Sequence, residues 1–391
     1  MANISDVARL AGVSTATVSA VLNGRNVVKP QTRRVVLEAI KKLNYHPNLQ
    51  ARNLARGHSG ILGLVISDII NPFFAEIAQV VQAEANLRGY QVFISATQFS
   101  LERLRAAVAY MVGMRAAGLV IMTTEMDDET LGILRARKIP AIFEDVGIVD
   151  RHTSKLRIDY EGGINQIVRT LADLGHRRVL FLENPPSGEA ASFFSVRLRR
   201  EAFQTAIAHY PGMQYEQLTV VGPPFVAGLR AAAEALERFI FTAAVVNADP
   251  IALGFLKGLR NLGRRVPEDI SVVGFDNSPG CEYADPPLAS VEISREQIGR
   301  LAVDTLVRMI EKGDRGSEIR IGTELIRRAS LAPAPVSGKL QESDRADAQP
   351  DTRQHASAVA KLRAKFANKP GVPECKPARS PAGSATEAEP G

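Results

Sequence analysis

Residues Asn3 to Gly24 read NISDVARLAGVSTATVSAVLNG, and their spacing predicts two short helices joined by a tight turn. Ile4, Val7, Ala8 and Ala11 recur at i, i+3, i+4 and i+7, which is one face of a helix. Asn3 is suited to cap that helix by accepting from an orphan amide of the first turn. Gly12 suits the position just past its end, where a left-handed backbone costs little without a Cβ. Val13 plugs the corner, and Ser14 stands where the next cap belongs. Val18, Val21 and Leu22 give the second helix an apolar face. Its other face, Thr15, Ala16, Thr17, Ser19 and Ala20, is small, so the helix can lie deep in a groove. A helix-turn-helix offers its second helix to the DNA major groove in this way. Taken alone, the two helices also fit an ordinary helical hairpin.

The residues after Gly24 favour the DNA reading. A third helix is expected from Pro30, a residue suited to the first helical position, with Val36, Ala39, Ile40 and Leu43 as its apolar face. Next comes NYHPNLQARNLARG, residues 44 to 57, a short basic helix candidate. DVARLAGVSTATVSAVLNG, LNYHPN and NLQARNLARG together resemble the lactose-repressor (LacI/GalR) family of bacterial transcription regulators. Downstream, INPFFAEI, DLGHRR, RVPEDISVVGFDN and PPLASV resemble the same family in the same order, so the likeness spans roughly residues 2 to 332. It implies an N-terminal all-α helix-turn-helix domain and an α/β, two-lobed, periplasmic-binding-protein-like core with parallel sheets. The implied boundaries are 1–46 for the DNA-binding domain, 47–58 for a hinge helix, 59–332 for the effector-binding and dimerisation domain, and 333–391 for a tail.

Charge is concentrated at one end. Residues 1 to 58 hold nine basic and two acidic side chains, a net +7, while the whole 391-residue chain carries +6. A basic module on a neutral body is the footprint of a phosphate-binding head. The two cysteines, Cys281 and Cys375, imply no disulfide framework and suit a reducing compartment. Met1 to Leu10 lacks the apolar core of a signal peptide, and no apolar run is long enough to span a bilayer. The expectation is a cytoplasmic protein with no membrane association.

After Gly57 the pattern alternates strands and helices. Strands are expected at 61–66, 91–96, 118–122 and 141–145, with helices over FFAEIAQVVQAEANLRG, Leu101 to Ala117 and Asp128 to Lys138. The grammar restarts near residue 160, with strands at 177–182, 218–221, 243–246 and 271–276 between helices. Such alternation indicates parallel sheets covered on both faces, here as two lobes with a cleft between them. The resemblance further implies that a strand near Ala289 to Ile293 and a helix from Gln297 to Lys312 return to the first lobe. From Pro333 the composition is that of a disordered tail, in which Ala356 to Asn368 is a candidate transient helix.

The resemblance assigns candidate sites. Thr15, Ala16 and Ala20 fall on base-reading positions of the recognition helix, and relatives commonly hold Arg or His at the third. Ala20 offers no charged contact to guanine, so readout should lean on methyl groups, Thr hydroxyls or the hinge. Ser14, Thr17, Ser19 and Asn23 are candidate phosphate contacts. Lys29, where relatives often hold a capping Ser, cannot accept from an amide. In the hinge, Leu54 matches a leucine that relatives insert into the minor groove at the centre of a palindromic operator. Ala51 lies beside it, and Arg52 and Arg56 flank it.

For the effector, the likeness points to Phe73 and Phe74 as an aromatic wall, to the strand-end acids Asp145 and Asp276, and to Arg199 ahead of Ala202-Phe203. Asp249 matches the acid of an Asn-Asp pair whose Asn position is Ala248, with Asn247 one place earlier. Phe193, Ser195 and, less directly, Phe225 match variable ligand-facing positions. Acids, an arginine and aromatic walls suit a sugar or related polar metabolite. Each strand-end Asp also has an alternative role as a helix cap.

No GxSxG, HExxH, Walker loop or strand-borne GxGxxG appears, so no enzyme and no cofactor is expected. His176 is expected to be structural. The expected function is a sequence-specific regulator, a repressor, that binds double-stranded DNA as a homodimer or tetramer and answers to a small-molecule effector. Ligand would change the spacing of two hinge helices. The alternatives are a global regulator controlled by a protein partner, and a sugar-binding transport protein, which the basic head opposes.

Overall fold

The computed structural model describes residues 2–22, 27–45, 59–185 and 194–335. The expected hinge contacts Ala51, Arg52, Leu54 and Arg56, together with Asn23, Phe193 and the tail beyond residue 335, lie outside the described residues.

The head is built from α1 (Ile4–Ala11), α2 (Thr15–Leu22) and α3 (Pro30–Lys42). Its local chemistry follows the sequence closely. Asn3 Oδ1 accepts from the Ser5 and Asp6 amides at 2.9 and 3.1 Å, and Asp6 Oδ2 accepts in return from the Asn3 amide at 3.0 Å. This reciprocal box satisfies orphan donors at both ends of the first turn. Gly12 ends α1 at φ +64°. Ser14 Oγ accepts from the Thr17 amide at 3.2 Å, so it caps α2 as expected. Lys29 precedes α3 without a side-chain cap, and Pro30 sets its first turn instead. Val7, Ala8 and Ala11 from α1, Val18 and Val21 from α2, and Val36 and Ala39 from α3 close the core with Tyr45.

The body holds two six-stranded sheets. The first runs β11-β5-β4-β3-β1-β2, with β1 (Ile61–Ile66), β2 (Gln91–Ala96), β3 (Gly118–Met122), β4 (Ala141–Glu144), β5 (Thr153–Ile158) and β11 (Glu318–Ile321). Every pairing in it is parallel. The connecting helices are α4 (Pro72–Leu87), α5 (Leu101–Gly113) and α6 (Asp128–Arg137), with α12 (Arg295–Glu311) packed on α4. β1 lies between β2 and β3, so the chain reverses direction across the sheet there.

The second sheet runs β12-β10-β9-β8-β6-β7, with β6 (Arg178–Glu183), β7 (Gln214–Thr219), β8 (Ala243–Val246), β9 (Ser271–Asp276), β10 (Ala289–Ile293) and β12 (Thr323–Ile326). Its helices are α9 (Pro224–Arg238), α10 (Asp249–Asn261) and the short α11 (Gly280–Tyr283), while α7 (Tyr160–Asp173) and α8 (Phe194–Ala208) begin in the first unit and end in the second. Among the described residues two compact units result: those within 2–163, with 194–202 and 292–324, form the first, and 164–185, 203–291 and 325–335 form the second. The chain therefore re-enters the first unit late, as the family resemblance implied. The correction is in detail: the strand at 289–293 belongs to the second sheet, and α12 and β11 make the return.

α9 and α10 pack closely because glycines remove the side chains that would hold them apart. A Cβ on Gly254 would strike the carbonyl oxygen of Phe225, and one on Gly228 would strike that of Ile251. Ala231, Ala232 and Ala235 of α9 then bury against Phe255 and Leu259 of α10.

His176 is structural, as expected. Its Nε2 lies 3.0 Å from the Ala332 carbonyl and its Nδ1 2.9 Å from the Thr242 hydroxyl. Burial holds its pKa below the usual imidazole value. The carbonyl can only accept, so Nε2 carries the proton and Nδ1 accepts from Thr242.

Candidate DNA-binding and effector-binding residues

On the head, Ser14, Ala16, Thr17 and Ala20 line one open depression of about 530 Å³, together with Val28 and Lys29. Ser14, Thr15 and Ala16 are exposed, and Thr17, Ser19 and Ala20 are half-buried. The helix thus offers short side chains along an accessible face, and its larger residues Val18 and Val21 go to the core. The Ser14 hydroxyl also lies 2.9 Å from that of Thr17.

In the first unit, Asp145 follows the end of β4 in a left-handed conformation, φ +55°. Its Oδ1 accepts from the Ile158 amide and its Oδ2 from the Tyr160 hydroxyl, each at 2.8 Å. It is therefore not a helix cap: Asp159 fills that role for α7, accepting from the Gly162 amide at 3.0 Å. Burial pushes the Asp145 carboxyl up to about 6, against the opposing pull of those two donors and of Arg199. Arg199, on α8, stacks its guanidinium over the Tyr160 ring at 5.0 Å. Burial, with the Asp145 charge next in size, drives the Tyr160 phenol well above its ordinary value, so it stays a hydroxyl donor. An acid, a phenol and a guanidinium thus meet at one place, all nearly buried. Ser195 lies one turn earlier on α8 and is half-buried. Phe73 and Phe74 open α4, where Asn71 Oδ1 caps the helix at the Phe73 amide. Their rings meet edge to face at 5.3 Å and both are buried.

One group in this unit escaped the sequence reading. Glu125 is buried just past β3 and accepts from the hydroxyls of Ser67, Thr97 and Thr124. Ser67 follows β1 and Thr97 follows β2, so the carboxylate ties together the carboxyl ends of three adjacent parallel strands. Those ends at a reversal of strand order are where open α/β sheets bind ligands. The sequence signal was only a polar residue after each strand.

In the second unit, Asp276 ends β9 with φ +103°, and Asn247 follows β8. Asn247 Oδ1 accepts from the Asn184 amide at 3.4 Å, and Asn247 is almost fully buried. Phe225 is half exposed in the first turn of α9. Asp249 departs from expectation. It is fully buried, and both carboxylate oxygens bond to this chain, Oδ2 to the Ser278 amide and Oδ1 to the Ser290 hydroxyl, each at 2.6 Å. Asp145 is also bonded at both oxygens but keeps 9% of its surface accessible, whereas Asp249 has none, which suits a brace within the protein.

The comparisons with known proteins fit this anatomy. A family model for bacterial regulatory proteins of the lacI family matches residues 3–48, and one for a periplasmic binding protein-like domain matches residues 168–331. The HTH-type transcriptional regulator CelR of Thermobifida fusca is 34% identical over 328 residues, covering 81% of this chain and 94% of that protein. The HTH-type transcriptional repressor PurR of Pasteurella multocida is 31% identical over 337 residues, covering 85% and 99%. The chain belongs to the LacI family. Among solved structures, a CelR–cellobiose complex is similar at 29% identity and a TM-score of 0.61, covering 85% of this chain and 100% of that one. A Lac repressor dimer bound to operator and the anti-inducer ONPF reaches a TM-score of 0.73 at 28% identity, covering 85% and 99%.

As a LacI-family member the chain is a DNA-binding transcriptional regulator, and its relatives are regulators and not enzymes. Among the described residues no helix is long and apolar enough to cross a membrane, and no group of three or more His, Cys, Asp or Glu side chains is placed to hold a metal. Ala20 supplies only a methyl group on the accessible face of α2. Replacing it should therefore change sequence preference. Ala20→Arg is expected to gain about 1–3 kcal/mol of preference for a guanine-containing half-site if the contact is bidentate. Binding-site selection with the variant reads this directly, and an unchanged half-site motif would show that position 20 does not face the bases.

Proposed function

We propose that this LacI-family regulator is a cytoplasmic, homodimeric repressor whose operator binding is controlled by a polyhydroxylated small molecule, a sugar. The observation that carries the reading is the meeting of Asp145, Tyr160 and Arg199 in the first unit. A carboxylate accepts sugar hydroxyls, and a guanidinium donates to them in a fixed fork. Phe73 and Phe74 supply apolar rings of the kind that cover a sugar face. Asp276, Asn247, Ser195, Phe193 and Phe225 complete the proposed effector contacts. The CelR structure in complex with cellobiose supports a sugar as the ligand class. The Lac repressor dimer supports two-fold assembly, which one short recognition helix needs in order to read a palindrome.

On the DNA side, Ser14, Thr17 and Ser19, with Asn23, take phosphates, while Thr15, Ala16 and Ala20 take base edges. Leu54 is the proposed minor-groove wedge, with Ala51 beside it and Arg52 and Arg56 on the flanking phosphates. Thermal-shift screening of the full chain against sugars, nucleosides and sugar phosphates tests the effector class. A ligand present at 100 times its Kd stabilises by about 2.7 kcal/mol, enough to read as a clear rise in melting temperature. A panel in which only nucleosides raise the melting temperature would contradict the sugar reading.

A further inference from the structure

We infer that Asp249 is a positioning residue for Asp276: with Ser290 it clamps the turn Asp276–Ser278 and so fixes the main chain that carries the Asp276 side chain. This rests on the proposed reading that Asp276 contacts the effector.

The turn needs a clamp. Asp276 and Asn277 have φ of +103° and +50°, a region that residues with a Cβ rarely enter. Such a conformation persists only where the surroundings over-determine it. Here they do. The Ser278 amide donates to Asp249 Oδ2 at 2.6 Å, and the Asn277 amide donates to Ser290 Oγ at 3.0 Å. The Ser290 hydroxyl in turn donates to Asp249 Oδ1 at 2.6 Å. Both amides that follow Asp276 are thus held, one by Asp249 directly and one through Ser290.

The clamp draws on three separated pieces of the chain. Asp249 opens α10, Ser290 sits on β10, and the turn leaves β9. Gly274, two residues before Asp276, makes room: a Cβ there would collide with Asp249 Oδ1. Asp249, Ser278 and Ser290 are all buried, so these bonds do not compete with water. Burial, and next the nearby Asp276 charge, push the Asp249 carboxyl up to about 7. The Cys281 thiol also leans on this carboxylate, and its own pKa is raised by burial.

The test has one arm without ligand and one with cellobiose, both on the full chain. Amide hydrogen exchange of the free protein reads the clamp. Asp249→Ala and Ser290→Ala should each speed exchange at 277–278 by about tenfold or more, the amount one lost hydrogen bond allows. Asp249→Asn retains an acceptor for the Ser278 amide and gains a donor toward Ser290, so it should keep the protection. In the second arm, Asp249→Asn should bind cellobiose within about threefold of the parent, and Ser290→Ala about tenfold more weakly. Asp276→Asn should lose affinity with its turn still protected. The double variant Ser290→Ala/Asp276→Asn should bind no worse than Asp276→Asn alone, because the serine acts through the acid. Unchanged exchange in both Asp249→Ala and Ser290→Ala would overturn the clamp. Asp249→Asn as damaging to cellobiose binding as Asp276→Asn, with protection intact, would make Asp249 a ligand contact instead. A parent protein that ignores cellobiose and every other sugar of the thermal-shift panel would contradict the effector reading, and the exchange arm would still decide the clamp.

Discussion

Arg199→Ala is expected to abolish the response to effector and leave operator affinity in gel shifts unchanged. The arginine sits over the Tyr160 ring and next to Asp145, and it is itself buried. A hydrogen bond from a charged donor is worth about 1.5–3 kcal/mol, so losing one contact weakens the ligand roughly 10- to 150-fold. The loss has a second part. Arg199 is among the influences that hold the Asp145 carboxyl down against burial. Without it the acid takes up a proton at higher pH and accepts ligand hydroxyls less well. Arg199→Lys keeps the charge without the planar fork, and its response should fall between the two. An Arg199→Ala protein that still answers to the parent's effector at the same concentration would remove this residue from the site.

Gly254→Val is expected to destabilise the second unit severely. The new side chain would meet the Phe225 main chain, which cannot rotate away as a side-chain tip can. α9 and α10 would separate, exposing the apolar seam around Phe255 and Leu259. Overpacking costs about 1–3 kcal/mol where neighbours can shift, and a backbone obstacle places this variant at or beyond the top of that range. A loss of about 3 kcal/mol lowers the melting temperature by roughly 6–12 °C in a unit of this size. Gly132, on the exposed side of α6, is the matched control, with nothing near its missing Cβ. Gly132→Ala should stabilise by about 0.5–1 kcal/mol through helix propensity alone. Gly254→Ala has the same propensity gain and should nevertheless destabilise. Thermal melts of the three variants decide it, and a stabilised Gly254→Ala would show that the helices are not held in contact there.

The helix-turn-helix was legible because its determinants are local. Asn3, Gly12 and Ser14 each act within three or four residues, so reading the chain in order finds them. The strands buried on both faces were equally plain. β7 was not, because its residues QYEQLT are mostly exposed at a sheet edge, and the apolar run LTVV drew the expected strand too far along. β5, TSKLRI, was missed for a related reason: Lys155 and Arg157 interrupt its buried residues and pair with Glu318 across to β11. The acids show the same divide. Asp145 is recognisable as a strand-end carboxylate, but its partners Ile158 and Tyr160 lie more than a dozen residues on. Asp249 takes its character from Gly274, Ser278 and Ser290, which no local pattern connects to it. The expected role was a ligand contact; the hydrogen bonds tie both of its oxygens to this chain.

On the proposed function, this chain reads a palindromic operator as a two-fold pair. Selection of binding sites from random DNA by the full chain, with sequencing of the bound pool, tests it most directly. The expected result is enrichment of an inverted repeat whose half-sites are centred about one helical turn, roughly 10 base pairs, apart. Enrichment of a single asymmetric half-site, or no enrichment over the starting pool, would contradict it.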